Sequence, residues 1–125
     1  MELTRDFPGE YLHVRRVGAR SITVVERELT RSFLLSPATL VEDWPVTTVQ
    51  ALDAAAVDAI LALQPELVLL GTGVRQIFPE GAFLAAFLRR GIGIEVMDNA
   101  AAARTYDLLA GEGRRVVAAF ILPEG

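Results

Sequence analysis

The stretch IGIEVMDNAAAARTYDLLAGEGRRVVAAFIL, residues 92–122, has the pattern of a strand, a helix and a second strand in immediate succession. Ile92–Met97 is an apolar run of strand length, and Asp98-Asn99 provides two residue types that cap helix N-termini. The glycine-rich segment Gly111-Glu112-Gly113 is expected to end the helix, and Arg114–Leu122 forms the last strand. Four consecutive alanines allow this helix to pack closely against a sheet.

The residues before this stretch show the same alternation. Glu66–Leu70 (ELVLL) is an apolar run without polar alternation, a pattern typical of a strand that helices cover on both faces. A helix at Asp53–Leu63 precedes it, with Asp53 as the cap, and a helix at Pro79–Arg90 follows it. This order predicts a parallel βαβαβ core with right-handed crossovers.

Up to about residue 50 the sequence consists of short apolar or β-branched runs instead. A glycine-containing gap at Gly18-Ala19-Arg20 has the length of a hairpin connection. We therefore predict an α/β fold, a layered β/α single domain over residues 1–125, in which an antiparallel N-terminal extension (about 1–50) joins the parallel core (51–125). The expected strands of the extension are Tyr11–Val17, Ser21–Glu28, Ser32–Leu35 and Thr39–Trp44.

Composition restricts the class of protein. A hydrophobic content of 52% in 125 residues predicts one folded domain, and the net charge of −4 argues against nucleic-acid binding. No apolar run approaches the roughly 20 residues of a membrane span. The N-terminal residues MELTRDFPGEYLH do not resemble a signal peptide, so a cytoplasmic protein is expected.

The residue types that usually perform catalysis are scarce. All 12 basic residues are arginine and cysteine is absent, which excludes lysine Schiff bases, the lysine of a P-loop, thiolate nucleophiles and cysteine-bound metals. The single histidine, His13, lies in a predicted strand, where a general base is not expected. Glu95 interrupts an apolar strand and is expected to have an arginine partner. We therefore predict no catalytic residue, no metal site and no cofactor.

One edge of the predicted sheet is nevertheless suited to a small ligand. Ligands of open α/β sheets bind beyond the carboxyl ends of parallel strands, where the loop GTGVRQ and the Asp98-Asn99 pair would emerge. The loop lacks the third glycine of a dinucleotide fingerprint, so a small anion is a better candidate than a nucleotide. Arg104, at the border of the helix stripe, either faces this edge or lies in solvent and pairs weakly with Asp107. The predicted ligand-binding residues are Gly71, Thr72, Gly73, Arg75, Asp98, Asn99 and Arg104.

Four motifs resemble those of a widespread family of small domains of unknown function. They are the GTG at 71–73, the strand and turn at 92–98, the Arg104-Thr105-Tyr106 run and the EGR at 112–114. The family includes the mitochondrial NADH dehydrogenase (complex I) assembly factor 3 and an adipogenesis-associated protein. The resemblance implies a layered β/α fold, no established reaction, and an assembly role for the mitochondrial relatives. The chain departs from the family pattern at Asn99, Ala103 and Asp107, where threonine, cysteine and asparagine are expected.

Three functions remain open from the sequence. The first is a non-catalytic interaction or assembly module that contacts a protein partner through exposed apolar residues of the N-terminal strands, including Phe33 and Trp44. The alternative is a protein or enzyme that binds a small anionic ligand at the predicted edge, with Asp98 orienting the ligand or accepting a proton. The third is a homo-oligomer assembled about a two-fold axis.

Overall fold

The computed structural model describes residues 11–124, which form two β-sheets and three α-helices. The smaller sheet has three antiparallel strands and the larger sheet has five strands. A short 3-10 turn at Val49–Ala51 precedes the first helix. The strands are β1 (Val14–Val17), β2 (Ile22–Val24), β3 (Arg27–Leu29), β4 (Phe33–Leu35), β5 (Leu40–Val41), β6 (Leu67–Gly71), β7 (Gly93–Met97) and β8 (Val116–Phe120), and the helices are α1 (Ala54–Leu61), α2 (Gly81–Leu88) and α3 (Asn99–Gly111).

The last strand of the chain lies in the middle of the larger sheet. The strand order is β5-β4-β8-β6-β7, and β8 runs parallel to β6 but antiparallel to β4. Strand β7 runs parallel to β6 on its other side, with Leu70 opposite Val96. The predicted α/β class with a parallel core is therefore confirmed, and β6 and β7 end at the same edge of the sheet.

Each face of the larger sheet packs against its own apolar cluster. One face, which includes Leu69 and Phe120, packs against α3 and the smaller sheet. The other face, which includes Leu70 and Val117, packs against α1, α2 and the segment that contains Trp44. All five residues of β8 are buried, as expected for a central strand covered on both sides.

The N-terminal half differs from the prediction because its strands divide between the two sheets. Strands β1, β2 and β3 form the antiparallel sheet, whereas β4 and β5 join the larger sheet. The predicted strand Ser21–Glu28 is in fact the β2–β3 hairpin, which turns at Val25 with φ of 55°. A β-branched residue such as valine rarely adopts positive φ. The sequence therefore contains no glycine, asparagine or aspartate at this turn from which the hairpin could have been predicted. The expected strand Thr39–Trp44 is reduced to Leu40–Val41.

The helix starts lie at or near their predicted positions, whereas the edge strand β7 differs from the prediction. The side chain of Asp53 accepts a hydrogen bond from the N–H of Ala56 at 2.9 Å, which confirms the predicted cap of α1. Helix α2 begins at Gly81, two residues after the predicted Pro79. Strand β7 is only partly buried because it is an edge strand, and the exposed Glu95 forms no ion pair within residues 11–124. The expected arginine partner of Glu95 is therefore wrong.

The two aromatic residues proposed for a contact surface are buried. The indole of Trp44 is 2% exposed, and its N–H donates to the carbonyl of Ala56 at 3.4 Å. The ring of Phe33 is fully buried and stacks on Phe120 with ring centroids 5.1 Å apart. The N-terminal strands therefore use these residues as core, and a contact surface built on them is wrong.

Helix α3 holds the N-terminal strand through two consecutive residues. The hydroxyl of Tyr106 donates to the carbonyl of Leu12 at 2.6 Å, and the carboxylate of Asp107 accepts from the N–H of Val14 at 2.9 Å. Asp107 forms no ion pair with Arg104 in the described chain, so the predicted surface pair is wrong. Burial raises the pKa of Asp107, although the hydrogen bond from Val14 and the charge of nearby His13 act in the opposite direction.

The substitution Asp107→Asn tests this arrangement through its pH dependence. Because its pKa is raised in the folded state, the ionised carboxylate opposes folding at neutral pH, and its protonation on acidification favours folding. We expect Asp107→Asn to be at least as stable as the wild type at pH 7, because the amide oxygen keeps the bond from Val14. This advantage should shrink as the pH falls through the pKa of Asp107 in the folded protein. Urea unfolding between neutral and mildly acidic pH measures it.

The matched variant Asp107→Ala separates the charge from the hydrogen bond. It removes the acceptor for Val14 and should lower the free energy of unfolding by about 1 kcal/mol at pH 7. Equal destabilisation by Asp107→Asn and Asp107→Ala at pH 7 would contradict the assigned direction of the pKa shift.

Candidate functional site

The connections that follow β6 and β7 meet at one edge of the sheet, which we call the rim. The N–H of Thr72 donates to the carbonyl of Met97 at 3.0 Å, so the parallel pairing continues past the end of β6. The N–H of Asn99 then donates to the carbonyl of Gly73 at 2.8 Å. The structure therefore brings together the GTG exit and the start of α3, the two segments that the sequence placed at this edge.

The side chain of Asn99 joins three segments at the rim. Its amide oxygen accepts from the N–H of Gly73 at 3.1 Å, and its amide nitrogen donates to the carbonyl of Ile121 at 3.0 Å. The residue is 3% exposed and its bond to Ile121 is buried, so an unpaired side-chain amide at this position would be destabilising. Asn99 thus links the loop after β6, the first turn of α3 and the residue that follows β8.

Gly71 provides the space for this linkage. A Cβ at position 71 would lie 2.3 Å from the amide oxygen of Asn99 and 3.2 Å from the ring of Phe120. The backbone φ of Gly73 is 104°, a conformation that residues with a side chain rarely adopt. The two glycines of the GTG motif therefore have structural reasons to be glycine within the protein itself.

Thr72 and Gln76 fix the remainder of the loop. The hydroxyl of Thr72 donates to the carbonyl of Arg75 at 2.6 Å and accepts from the N–H of Ile77 at 3.0 Å. The side-chain amide of Gln76 donates to the carbonyl of Val96 at 2.9 Å, which ties the loop to the outer side of β7. The loop between β6 and α2 therefore has a defined conformation without helix or strand structure.

The charged residues of the predicted site do not all lie with its glycines at the rim. The carboxylate of Asp98 caps α3 by accepting from the N–H of Ala101 at 2.7 Å, as predicted for a helix start. The side chains of Arg75 and Arg104 are exposed and form no hydrogen bond or ion pair with residues 11–124. The structure assembles Gly71, Thr72, Gly73, Asp98 and Asn99 at the rim, whereas the side chain of Arg104, in α3, forms no hydrogen bond or ion pair with these residues. Binding of an anion by these residues stays a prediction.

Sequence reasoning missed the most exposed apolar residues of the rim. Val74, Ile77 and Phe78 are 70%, 38% and 66% exposed, and all three belong to the loop that Thr72 and Gln76 hold in place. We call residues 74–78 the rim loop. Three large apolar residues between a strand and a helix were a visible signal in the sequence, because loops between such elements are usually polar.

Other kinds of site are not formed by the part of the chain that the structure describes. No group of three or more His, Asp or Glu side chains is placed to hold a metal ion. None of the helices between residues 11 and 124 has the length and apolar character needed to cross a bilayer. The cytoplasmic location stays a prediction. A groove of about 510 Å³ lies between the 42–47 segment and residues 122–124, and none of the predicted ligand-binding residues lines it.

The substitution Gly71→Ala tests the rim linkage. Its methyl group would overlap the amide oxygen of Asn99, and relief of the overlap requires that this oxygen move away from the N–H of Gly73, to which it is hydrogen-bonded. We expect the free energy of unfolding to fall by about 2–3 kcal/mol, as measured by urea denaturation. The matched control is Gly81→Ala, where the added Cβ meets nothing within 4 Å and the change should stay within about 0.5 kcal/mol. Equal effects of the two substitutions would show that the contact of Gly71 with Asn99 is not tight.

Comparison with known proteins gives the same fold in several relatives. The solution structure of a Xanthomonas campestris protein has a TM-score of 0.83 and 51% sequence identity, over 94% of this chain and 89% of that chain. The solution structure of a Bordetella pertussis protein, described as an Mth938-like domain, has a TM-score of 0.78 and 30% identity, over 100% of this chain and 94% of that chain.

Mammalian proteins are among the relatives of this chain. The human protein named NADH dehydrogenase (ubiquinone) 1 alpha subcomplex assembly factor 3 is 36% identical over 119 residues, which are 94% of this chain and 64% of the human protein. The chain thus spans less than two thirds of the length of this relative. The sequence model of a family described as "Protein of unknown function (DUF498/DUF598)" matches residues 14–121. This match covers most of the chain, and the chain belongs to the DUF498/DUF598 family.

Proposed function

We propose that the protein is a non-catalytic interaction module of the assembly type, and that the rim loop is its contact surface. The observation that carries the proposal is the exposure of Val74, Ile77 and Phe78 on a loop whose backbone is held by side-chain hydrogen bonds. Exposed apolar residues grouped in this way are typical of protein contact sites. The proposal retains the interaction function predicted from the sequence and replaces its contact surface.

The fixed conformation of the loop favours binding. A flexible loop loses conformational entropy when it docks, whereas a loop that is already ordered avoids most of that loss. The hydroxyl of Thr72 and the amide of Gln76 order the rim loop in the free chain. We expect Phe78 to contribute most to binding, because a large aromatic side chain that enters a partner's pocket contributes more binding free energy than its polar neighbours.

The names of relatives support the same class of function. Proteins named NADH dehydrogenase assembly factor 3 match this chain over nearly its whole length, at 30% identity in the mouse and 36% in human. A protein partner within a multi-subunit complex is therefore the partner class that we propose for this chain. The absence of cysteine and lysine from the sequence agrees with a binding role, because two common classes of nucleophile are missing.

An anion site at the rim is the alternative proposal. The guanidinium groups of Arg75 and Arg104 favour it, because neither is paired with a side chain of residues 11–124 and each can donate to a carboxylate or phosphate. Gly71, Thr72, Gly73, Asp98 and Asn99 would form the floor of such a site. Under this alternative, inorganic phosphate should raise the Tm of the wild type and should not raise the Tm of an Arg75→Gln/Arg104→Gln variant.

The substitution Phe78→Asp tests the interaction proposal. It places a charge at the last residue of the rim loop, where the wild type exposes an apolar ring. Loss of one anchor residue is expected to weaken a protein contact by about 2 kcal/mol or more, which is a factor of about 30 in affinity. Affinity capture from a native lysate, with quantitative mass spectrometry, should show proteins that bind the wild type and not the variant.

The matched control is Leu108→Asp. Leu108 is 63% exposed on α3, so the substitution introduces the same charge at an equally exposed leucine outside the rim loop. Proteins captured equally by the wild type, Phe78→Asp and Leu108→Asp would argue against the rim loop as the contact surface. Unchanged thermal unfolding of both variants shows that each one is folded.

A further inference from the structure

Strand β7 forms an open edge of the larger sheet beside the rim loop. Alternate residues of a parallel strand point their backbone groups toward the same neighbour. The carbonyl of Met97 accepts from Thr72 at 3.0 Å and the N–H of Gly93 donates to Glu66 at 3.4 Å, so both residues face β6. The alternate residues Ile92, Ile94 and Val96 therefore direct their backbone N–H and C=O groups away from the sheet.

Two of these outward groups already have partners within the chain. The N–H of Ile92 donates to the carbonyl of Phe87 at 3.0 Å, and the carbonyl of Val96 accepts from the side chain of Gln76 at 2.9 Å. Within residues 11–124, alternation leaves four groups open to an added strand, namely the C=O of Ile92, the N–H and C=O of Ile94, and the N–H of Val96. The bonded groups and the open groups are arranged symmetrically about Ile94.

We propose that this edge pairs with the same edge of a second copy of the chain, antiparallel, about a two-fold axis at Ile94. The proposal rests on the interaction function above. It identifies a second copy of the chain as a partner that binds the rim loop and the neighbouring edge of β7. In this register the two Ile94 residues exchange a pair of hydrogen bonds, and the N–H of each Val96 reaches the C=O of Ile92 in the other copy. The N–H of Ile92 and the C=O of Val96 also face each other in this register, so pairing beyond the central Ile94 pair requires that the carbonyl of Phe87 and the side chain of Gln76 release these two groups.

The charges of the edge select this register over its neighbour. An axis at Ile94 places Glu95 opposite Gly93 of the second copy and brings the Asp98 end of one strand toward the Arg89-Arg90 end of the other. An axis at Glu95 would set two carboxylates directly opposite each other, which is destabilising.

The exposed apolar residues at the two ends of β7 would also contact each other across the dimer. The rim loop lies at the carboxyl end of β7, where Gln76 contacts Val96. Helix α2 ends at the amino end of β7, where Leu88 is 60% exposed. Antiparallel pairing places the rim loop of one copy next to Leu88 of the other copy. The large exposed apolar residues at both ends would then be covered by one contact.

Other strand edges between residues 11 and 124 are protected by their own structure. The side chain of Asp107 binds the N–H of Val14 in β1. Strand β5 has two residues, and β3 exposes Arg27 and Glu28. Short, charged or capped edges resist strand addition, whereas β7 is five residues long and mostly apolar. The open edge of β7 is thus the one suited to pairing.

The cysteine-free sequence permits a register-specific cross-linking test with Gly93→Cys and Glu95→Cys. In the proposed dimer residue 93 of one copy lies opposite residue 95 of the other, with Cα atoms about 4.5 Å apart, which a disulfide can span. Identical positions lie on the diagonal at roughly 7–8 Å, which is unfavourable for a disulfide. The Cβ at position 93 would meet only the flexible end of Leu67, at 3.0 Å.

We expect a mixture of the two single-cysteine proteins to form disulfide-linked dimers in several-fold higher yield than either protein alone under mild oxidation. A mixture of Glu95→Cys with Leu108→Cys is the control for random collision, since Leu108 is exposed on α3. The wild type should also show a mass that rises with concentration toward that of a dimer in light scattering.

Three outcomes would overturn the proposal. They are equal yields in the mixture and the control, a higher yield for Glu95→Cys alone, and a wild type that stays monomeric at every concentration tested. The interaction function is judged separately, because loss of a heterologous protein in the Phe78→Asp capture experiment does not depend on dimerisation. A monomeric chain that still captures such a protein through Phe78 would refute the dimer and leave the interaction function standing.

Discussion

The side-chain amide of Asn99 is the contact on which the rim depends. It joins the loop after β6 to the residue after β8, and it lies at the first turn of α3. The bond to Ile121 is buried and the bond from Gly73 is partly buried, so loss of the Ile121 bond would leave an unsatisfied polar group in a dry environment. Gly71 has no side chain where Asn99 needs space, and Gly73 adopts a positive φ where the loop turns toward it. The conformation of residues 71–73, from which the rim loop begins, follows from these few contacts.

Local signals predicted the elements of the second half well. Asp53 and Asp98 are caps in the structure because a carboxylate at a helix start satisfies the free N–H groups of the first turn. The β2–β3 hairpin escaped prediction because its turn contains Val25 at positive φ and no residue typical of a turn. The central position of β8 was also not predictable, since strand order depends on contacts between residues far apart in the sequence. At the site, the sequence located the rim. It could not show that the side chains of Asn99 and Thr72 are already hydrogen-bonded to backbone groups of the chain itself.

The motifs that carry the family resemblance have structural explanations in this chain. In the run that follows Arg104, Tyr106 and Asp107 anchor the N-terminal strand by hydrogen bonds to the backbone of residues 12 and 14. In the EGR motif, Gly113 has a φ of 80° and Arg114 pairs with Glu66 at 3.0 Å. The N–H of Arg115 and the guanidinium of Arg114 lower the pKa of Glu66, as expected for a carboxylate that accepts two hydrogen bonds. These motifs therefore describe how the fold is held together, and the function must be sought in what the fold exposes.

The exposed surface that stands out is the rim loop beside the open edge of β7. A rigid loop with apolar side chains and an unpaired strand can both engage a protein, and Gln76 places them next to each other. We conclude that the side chains of Asn99 and Thr72 order the Gly73 turn and the rim loop that follows it in the free chain. Native-state hydrogen exchange of the Gly73 and Ile77 amides tests it most directly, because each amide donates to one of these side chains. We expect both amides to be protected to an extent comparable to the β6 amides, whereas exchange at the rate of an unstructured peptide would show that these side chains do not order the loop.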